Sequence, residues 1–530
     1  MMRYLRALAI AAPLLLASAA GPALAQKASG ILKMHVWDNP PSMSMLDGPN
    51  PIGQRVTMGV FNNLVMFDQH VKQNSLQSIV PDLATGWSWN EDGTALTLPL
   101  RHGVKWHDGK PFTAKDVRCT WDLLLEKSSD KLRVNSLKSW YRNLDEVSTN
   151  GDYEVTFHLK RPQPAFLMLL ANGFAPVYPC HVPARDMRQH PIGTGPFKFV
   201  EFKPNERITV TRNPDYWKKD RPYLDGIEWT IIKNMSTATL AFISGKLEMT
   251  FPYTLTVPLL KDVRTQVPDA ICELTSDSAN RHLLVNRDKP PLDNPDLRRA
   301  MALSFDRQAF IDILSEGQGE IGGVLQPAPG GLWGMPPDVL KELPGYDPDV
   351  QKNRAQARQI MEKLGYGPGN RLKIMVSTRD LPSHRDPAVI LIDQLKEVFI
   401  DGELETIDTT VYFPKILRKD YTVGLNISLS GPDPDPILDT LYRCGSSLNV
   451  NDYCNPDVDK LIERQSIEAD PGRRKQLVWA IERKLAEDGA RPILFYSPGG
   501  TCWQPYVKGL TIMVNSLHNG NRMEDVWLDK

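Results

Sequence analysis

The feature of the sequence that most constrains the fold is a strand, a turn and a capped helix in immediate succession between residues 95 and 125. Leucines alternate with other residues from position 96 to 100, a period of two that is typical of a strand. The letters HDGK that follow contain an Asp-Gly turn. Thr113 and Asp116 then form a helix capping box, and apolar residues recur behind them at helical spacing.

The same stretch holds three residues of the types found in metal or catalytic sites, His102, His107 and Asp108. The two histidines are five apart on chain that is not predicted to be helical, so nothing places both side chains on one face. Asp108 already has a structural role in the turn. We therefore predict that the stretch is scaffold and holds no metal.

Two further stretches have the same scaffold character. Gly193 and Gly195 look like the start of a phosphate loop, but Pro196 blocks the helix that would bind phosphate, and extended chain follows. Near the middle of the chain, Asn294 and Asp306 each stand where a helix N-cap is expected, before residues with an apolar stripe at helical spacing.

The N-terminal 25 residues have the three parts of a secretory signal peptide. A positively charged start precedes an apolar run from Ala7 to Ala20, and Ala23-Leu24-Ala25 is a small-residue cleavage site. Cleavage there would give a chain that starts at Gln26, with no cysteine next to the cut to carry a lipid. We expect a periplasmic protein.

Length and charge limit what the exported chain can be. The 505 residues that follow position 25 are too many for one hydrophobic core, so two or more lobes are expected. Loss of Arg3 and Arg6 leaves 60 basic residues against 63 acidic ones, a net charge of −3. Such a chain has no field for polyanions, which argues against nucleic acid as a partner.

The six cysteines fit an oxidising compartment. Cys444 and Cys454 are ten apart across a polar loop, and we predict that they form a disulfide. Close Cys or His pairs with the spacing of a zinc site are absent. Three pairings remain open for the other four cysteines, which are Cys119, Cys180, Cys272 and Cys502.

Three segments in order, LRHGVKWHDGKPFTAKDV, IGTGPFKFVEF with VTRNPDYW, and LRRAMALSFDRQAFIDIL, carry a family resemblance. They resemble the peptide- and oligopeptide-binding receptors of ABC importers, the extracytoplasmic solute-binding proteins of family 5, which include dipeptide, oligopeptide and nickel receptors. The similarity extends over residues 31–530.

This resemblance implies a two-lobed α/β protein of the large, three-subdomain periplasmic-binding-protein type, with mixed sheets and a hinge. Such a receptor closes around a solute and delivers it to a membrane permease. Mapped onto this sequence, lobe I comprises residues 27–278 and 498–530 with an inserted subdomain at 63–190, and lobe II comprises residues 279–497. We further predict that residues 326–338 form a surface loop of lobe II.

The resemblance also suggests ligand-binding residues. Ser430 stands where dipeptide receptors have an aspartate for the amino terminus of the peptide, so the resemblance argues against recognition of a free amine unless Asp433 or Asp435 takes over. The alternative for these two aspartates is a proline-spaced turn with solvated carboxylates. Arg379 falls near the position of an arginine that binds the ligand carboxylate, and an ordinary surface arginine is its alternative.

Three aromatic residues complete the predicted site. Trp37, Tyr412 and Trp503 lie in segments that line the cleft in relatives, although each could equally be a core residue.

The function predicted from the sequence is capture of a peptide or peptide-like solute for an ABC importer. The alternatives are the same role for an opine, an oligosaccharide or an aromatic acid, and a secreted hydrolase. Against the hydrolase, the GxSxG and HExxH signatures are absent. The expected partners are the small solute and the permease subunits of the inner membrane. We expect a monomer without cofactor or metal.

Overall fold

The computed structural model describes residues 30–47, 51–514 and 519–530, including all side chains except those of Pro51 and Asp277. The predicted signal peptide, residues 1–25, and the predicted start at Gln26 lie outside the described residues. No helix within the described part of the chain is long and apolar enough to cross a membrane.

The described residues form seventeen strands, most of which belong to three larger sheets. The strands are β1 Ile31–Val36, β2 Val65–Phe67, β3 Ile79–Pro81, β4 Ser88–Trp89, β5 Ala95–Pro99, β6 Leu144–Thr149, β7 Glu154–Leu159, β8 Phe197–Lys203, β9 Arg207–Arg212, β10 Gly226–Ile231, β11 Ile271–Val285, β12 Leu372–Arg379, β13 Ile400–Ile407, β14 Val423–Leu429, β15 Ile493–Trp503, β16 Val507–Lys508 and β17 Trp527–Leu528.

Fourteen helices are described between and around these strands. They are α1 Pro51–Thr57, α2 Ala114–Leu124, α3 Phe166–Ala171, α4 Met235–Ile243, α5 Val257–Gln266, α6 Pro295–Leu303, α7 Arg307–Ser315, α8 Pro337–Leu340, α9 Val350–Lys363, α10 Pro382–Lys396, α11 Thr409–Leu417, α12 Asp435–Leu441, α13 Pro456–Ile467 and α14 Pro471–Glu487.

Two of the three larger sheets are mixed, as predicted, and the sheet β4-β5-β7-β6 is antiparallel. The orders of the three larger sheets are β1-β10-β9-β8, β4-β5-β7-β6 and β13-β12-β14-β11-β15. In the first, β1 runs parallel to β10 and the other neighbours are antiparallel. In the third, β12 runs parallel to both β13 and β14, whereas β11 is antiparallel to β14 and β15.

Buried apolar side chains fall into two sets, which divide the molecule into two lobes. One set is drawn from residues 32–274 and 502–528, and the other from residues 283–495. Leu429, at the end of β14, packs against the first set although its strand belongs to the second. The lobes therefore touch beside the end of this strand.

Two strands carry the chain between the lobes. β11 begins in the first lobe and ends in the second, and β15 returns in the opposite direction beside it. Their pairing is interrupted between Ser276 and Asn280 and resumes on the far side. A pair of strands with a gap in its ladder is the natural place for a hinge, since few backbone bonds resist bending there.

The helix caps expected from the sequence are present. The backbone N–H of Thr113 donates to Asp116 at 2.9 Å at the start of α2. The side chains of Asn294 and Asp306 accept backbone N–H groups at the starts of α6 and α7. These predictions are confirmed. Each could be made from the sequence because a cap joins residues only two or three positions apart.

Two of the quoted scaffold motifs pack against each other. His107 donates its backbone N–H to Gly193 O at 2.9 Å, and its ring Nε2 lies 3.0 Å from Gly195 O. Burial lowers the pKa of His107 to about 4, so the ring is neutral. A Cβ on Gly193 would lie 1.9 Å from the carbonyl oxygen of Val60, so only glycine fits there.

All six cysteines are paired. The predicted disulfide Cys444–Cys454 is confirmed. Among the three open pairings for the other four, the structure has Cys119–Cys180 and Cys272–Cys502.

Candidate functional site

The ends of parallel strands place polar residues of the second lobe at one edge of its sheet. Arg379 is the last residue of β12, Asp408 follows β13, and Ser430 follows β14. Because β12 is parallel to both neighbours, these three residues lie at the same edge. In open α/β sheets ligands bind outside the carboxyl ends of the strands, so this edge is the candidate site.

The first lobe presents a similar edge. Trp37 and Asp38 follow β1, and Lys233 lies shortly after its parallel neighbour β10. The ammonium of Lys233 pairs with the carboxylate of Asp38 at 3.3 Å. The charge of Asp38 acts to raise the pKa of Arg379 of the second lobe.

Arg379 is held from within its own lobe. Its Nε and Nη2 donate to the hydroxyl of Thr409 at 3.3 and 3.0 Å, and its guanidinium lies 5.3 Å from the centre of the Phe413 ring. Burial lowers the pKa of Arg379, although the charges of Asp38 and Asp408 act in the opposite direction. A half-buried guanidinium of this kind suits a ligand carboxylate.

The backbone of β14 has an open side. It pairs with β11 from Val423 to Leu429 but with β12 only at Val423 and Gly424. The backbone N–H of Ser430 donates to the carbonyl of Ser278 on β11 at 3.0 Å. Along an antiparallel pair, the backbone N–H and C=O groups of successive residues point alternately towards and away from the partner strand. The backbone groups of Ile427 and Leu429 therefore point away from β11. In the described part of the chain nothing hydrogen-bonds their backbone groups.

A pocket lies beyond the end of β14. It contains ≈ 390 Å³ of empty space, some of it open to solvent, and draws its lining from both lobes. Asn74 comes from the first lobe, whereas Ser430, Gln326 and Trp333 come from the second. The described lining residues are uncharged, with neutral hydrogen-bonding groups beside apolar side chains.

Asp433 and Asp435 share one buried arginine. The guanidinium of Arg474 donates to both carboxylate oxygens of Asp433 at 2.7 and 2.8 Å and to Asp435 at 3.3 Å. Both aspartates are buried, so the alternative of solvated carboxylates is wrong. Burial raises the pKa of Asp433 although Arg474 acts to lower it.

Asp435 also connects the lobes. The side-chain amide of Gln163, in the first lobe, donates to its Oδ2 at 2.8 Å, and the hydroxyl of Ser466 donates at 2.9 Å. Ser139 and Thr440 add a hydroxyl contact of 3.0 Å across the same boundary. Both aspartates thus already accept hydrogen bonds from protein groups.

The three predicted aromatic residues are not brought together. Trp37 is partly buried at the edge of the first lobe, where its ring lies 5.2 Å from that of Phe251. Tyr412 is buried in the second lobe, and its hydroxyl donates to Leu425 O at 3.2 Å. Trp503 is a buried core residue of the first lobe. For Tyr412 and Trp503 these positions favour the core alternative.

Three residues that shape the candidate site were not predicted from the sequence, namely Gln326, Trp333 and Arg474. Gln326 and Trp333 belong to the predicted surface loop at 326–338, but they line the pocket. Arg474 is 41 residues from Asp433 along the chain, so no local pattern could connect them. The glycine- and proline-rich letters QPAPGGLWGM were the one available signal of an unusual loop.

No group of three His, Cys, Asp or Glu side chains among the residues described is placed to hold a metal ion. The two edges carry the charged groups of Arg379, Asp408, Asp38 and Lys233, and the pocket adds neutral hydrogen-bonding groups and apolar surface, which are groups that can bind a solute.

Comparison with known proteins agrees with this interpretation of the site. A protein-family model described as "Bacterial extracellular solute-binding proteins, family 5 Middle" matches residues 78–449. The di/tripeptide-binding protein 1 of Pseudomonas aeruginosa is 26% identical over 464 residues, which cover 81% of each chain. The periplasmic murein peptide-binding protein MppA of Escherichia coli is 26% identical over 530 residues, 93% of this chain and 92% of the relative.

Solved structures share the fold. A periplasmic binding protein DppA from Helicobacter pylori, in complex with the peptide STSA, superimposes with a TM-score of 0.83 at 22% identity, covering 95% of this chain and 98% of its own. The named relatives are binding proteins. Because the family model matches more than half of the chain, this protein belongs to the bacterial extracellular solute-binding proteins of family 5.

Proposed function

We propose that the protein captures a peptide or peptide-like solute between its two lobes and delivers it to the permease of an ABC importer. The partners are the solute and the permease subunits in the inner membrane, and the receptor acts as a monomer. The names of its relatives, which include di/tripeptide- and murein peptide-binding proteins, support a peptide as the ligand.

The observation that carries this proposal is the open side of β14. The backbone groups of Ile427 and Leu429 lie on the side of β14 away from β11, without a hydrogen-bond partner among the described residues. An extended peptide can add to such an edge as a further strand, which binds its main chain whatever its side chains are.

The length of this edge favours a short peptide. Ser377 pairs with Gly424, so Arg379 lies level with Asn426, four residues before Ser430. Four strand residues extend ~13 Å. A ligand with its carboxylate at Arg379 and its other end in the pocket would therefore be about four residues long.

We also propose that a free amino terminus is not the main feature recognised. Ser430 offers only a hydroxyl, and Asp433 and Asp435 are occupied by Arg474. Burying an ammonium without a charged partner costs several kcal/mol, so an uncharged or blocked end suits this pocket better.

A thermal-shift screen tests both statements, because a ligand that binds only the folded state raises its melting temperature. The panel contains di- to pentapeptides, each free and N-acetylated, with opines, oligosaccharides and aromatic acids beside them. We expect peptides to raise the melting temperature and acetylation to leave the shift in place. Loss of the shift on acetylation would overturn only the statement on the amine. A shift with the non-peptide compounds alone would overturn the peptide ligand.

The division into lobes that we propose is residues 27–278 with 498–530, and residues 279–497, with 63–190 as the inserted subdomain. Both divisions between the lobes fall inside β11 and β15, close to the gap in their pairing. The two sets of buried side chains support the same division.

We propose a periplasmic location after removal of residues 1–25. The relative MppA is described as periplasmic. N-terminal sequencing of protein released by osmotic shock should read from Gln26. A chain that still begins with Met1, or that stays with the membranes after a high-salt wash, would contradict this location.

A further inference from the structure

One wall of the pocket is a single segment, residues 325–335, which we call the Trp333 loop. Gln326, Leu332 and Trp333 of this loop line the pocket, and the Leu332 side chain is 41% exposed there. Leucine and tryptophan beside neutral amides form a surface for an apolar group of a ligand. The position of the Trp333 loop therefore sets the shape of the pocket.

The Trp333 loop is wound tightly around its own Gln326. A Cβ on Gly331 would lie 1.8 Å from the backbone oxygen of Gln326, and one on Gly334 would lie 2.3 Å from the same atom. The amide of Gln326 donates to Glu320 at 2.7 Å. Gly331 and Gly334 leave no room for side chains, so only glycine lets the loop fold back this closely on its own start.

One side chain holds both ends. The backbone N–H of Leu325 donates to Oε1 of Glu482 at 2.8 Å, and the backbone N–H of Met335 donates to Oε2 at 3.2 Å. Glu482 is buried on α14 behind the loop, where the described structure gives it no cationic partner within salt-bridge distance. Its carboxyl group therefore bridges the first and last residues of the Trp333 loop.

The same helix supports the middle of the loop. The indole N–H of Trp479 donates to Trp333 O at 2.9 Å, and the Arg474 guanidinium lies 4.7 Å from the centre of the Trp333 ring. The Trp333 indole in turn donates to Pro432 O at 3.0 Å, in the segment after β14. The helix α14 thus supports the loop that forms the wall of the pocket. Trp479 and Arg474 contact the middle of the loop, and Glu482 binds both of its ends.

We propose that Glu482 is a positioning residue for ligand binding, which fixes the Trp333 loop as the apolar wall of the pocket by accepting the backbone N–H groups of Leu325 and Met335. This inference rests on the proposed function for its consequence on ligands, but the bridge itself exists without a ligand. Glu482 does not line the pocket beyond the end of β14, so it acts on that pocket only through the loop.

Titration of Glu482 gives a signature that packing alone would not. Burial raises its pKa to about 8, against the three backbone donors that act to lower it. The titratable and charged groups around it are Tyr346, Tyr442, Tyr496, Arg307 and Arg491. Burial raises the pKa values of the tyrosines above 10, and arginines stay protonated, so none of them changes charge between pH 6 and 9.

The sign of the effect follows from linkage. When the loop opens, Glu482 meets water and its pKa returns towards its ordinary value near 4.5. The closed loop therefore holds a proton that the open loop releases, so opening becomes easier as the pH rises from about 5 to 8 and changes little above that.

Hydrogen exchange of the full-length protein without ligand tests the bridge. Protection of residues 325–335, corrected for the intrinsic pH dependence of exchange, should fall between pH 6 and 8 in the unmodified protein. Glu482→Gln should remove this pH dependence and speed exchange at Leu325 or Met335, because the NH2 of glutamine, which can only donate, would face one of the two backbone N–H groups. The matched control is Glu487→Gln on the same helix, which is exposed and lies 3.4 Å from Lys484. It should change nothing.

Calorimetric titration with the peptide that gives the largest thermal shift tests the consequence. Glu482→Gln should weaken its binding about fivefold, the effect of losing one hydrogen bond between neutral groups, and Glu487→Gln should not. If Glu482→Gln alters exchange of the loop but leaves the peptide affinity unchanged, the positioning role is overturned. If Glu482→Gln leaves exchange unaltered and the unmodified protein shows no pH dependence, the bridge is overturned. If no peptide binds at all, the proposed function fails while the exchange data still decide on the bridge.

Discussion

At the scale of single residues, the most consequential contact is the one between Arg474 and two aspartates. The guanidinium pairs with both oxygens of Asp433 and reaches Asp435 as well. Burial raises the pKa of Asp433, and the charge of Arg474 acts against this rise. Gln163 of the other lobe joins the same group of side chains. The letters PDPDP are therefore a junction between elements rather than an exposed turn.

This junction predicts an asymmetry between two adjacent arginines. Arg474→Ala leaves Asp433 and Asp435 buried without a cation, which should lower the free energy of unfolding by about 3–5 kcal/mol. Arg473→Ala removes only an exposed pair with Glu468 and should leave stability almost unchanged. Urea denaturation measures both variants, and equal effects would contradict the account of the junction.

Residue-scale predictions from the sequence succeeded where the partners are close along the chain. The Thr113–Asp116 cap needs only four consecutive positions, and Cys444–Cys454 needs one short loop. The pairing of Asp433 with Arg474 depends on how α14 packs, which no local pattern contains. The resemblance predicts Tyr412 and Trp503 at the cleft, and both are buried in the structure. Because an aromatic residue suits a cleft wall and a core equally well, the sequence alone does not separate the two alternatives.

At the scale of elements, the open side of β14 carries the proposed function. Ile427→Pro removes a backbone N–H that points away from β11, so it should spare the pairing with β11 while it deletes one bond to an added peptide strand. We expect peptide affinity to fall about tenfold with a nearly unchanged melting temperature. Calorimetry on the folded variant measures it, and full affinity would show that peptides do not add to this edge.

Element-scale predictions from the sequence were mostly right in type. The strand before α2, the extended chain after Gly195 and the capped helices α6 and α7 are present. The segment 326–338 was interpreted as a surface loop, since glycine and proline are typical of exposed turns. It is a loop with exposed residues such as Leu332, and it also lines the pocket, because Glu482 and Trp479 of a distant helix fasten it to the interior.

At the scale of the whole molecule, the crossing strands β11 and β15 predict a hinge. Their interrupted pairing lies between the two sets of buried side chains, so bending there moves one lobe against the other. Small-angle scattering should give a smaller radius of gyration when a peptide is present at saturation. The same radius with and without bound peptide would mean that the molecule is a rigid module.

The central claim, that a peptide is held between the lobes, is tested most directly by native mass spectrometry of protein purified from its own periplasm. Closure around a ligand buries it, so the protein should retain its ligand through purification. We expect an added mass that fragments into a series of ions separated by amino-acid residue masses, as a peptide of about four residues would give. An opine, a sugar or an aromatic acid in that place would contradict it, as would a bare protein that takes up nothing from an added mixture of di- to pentapeptides.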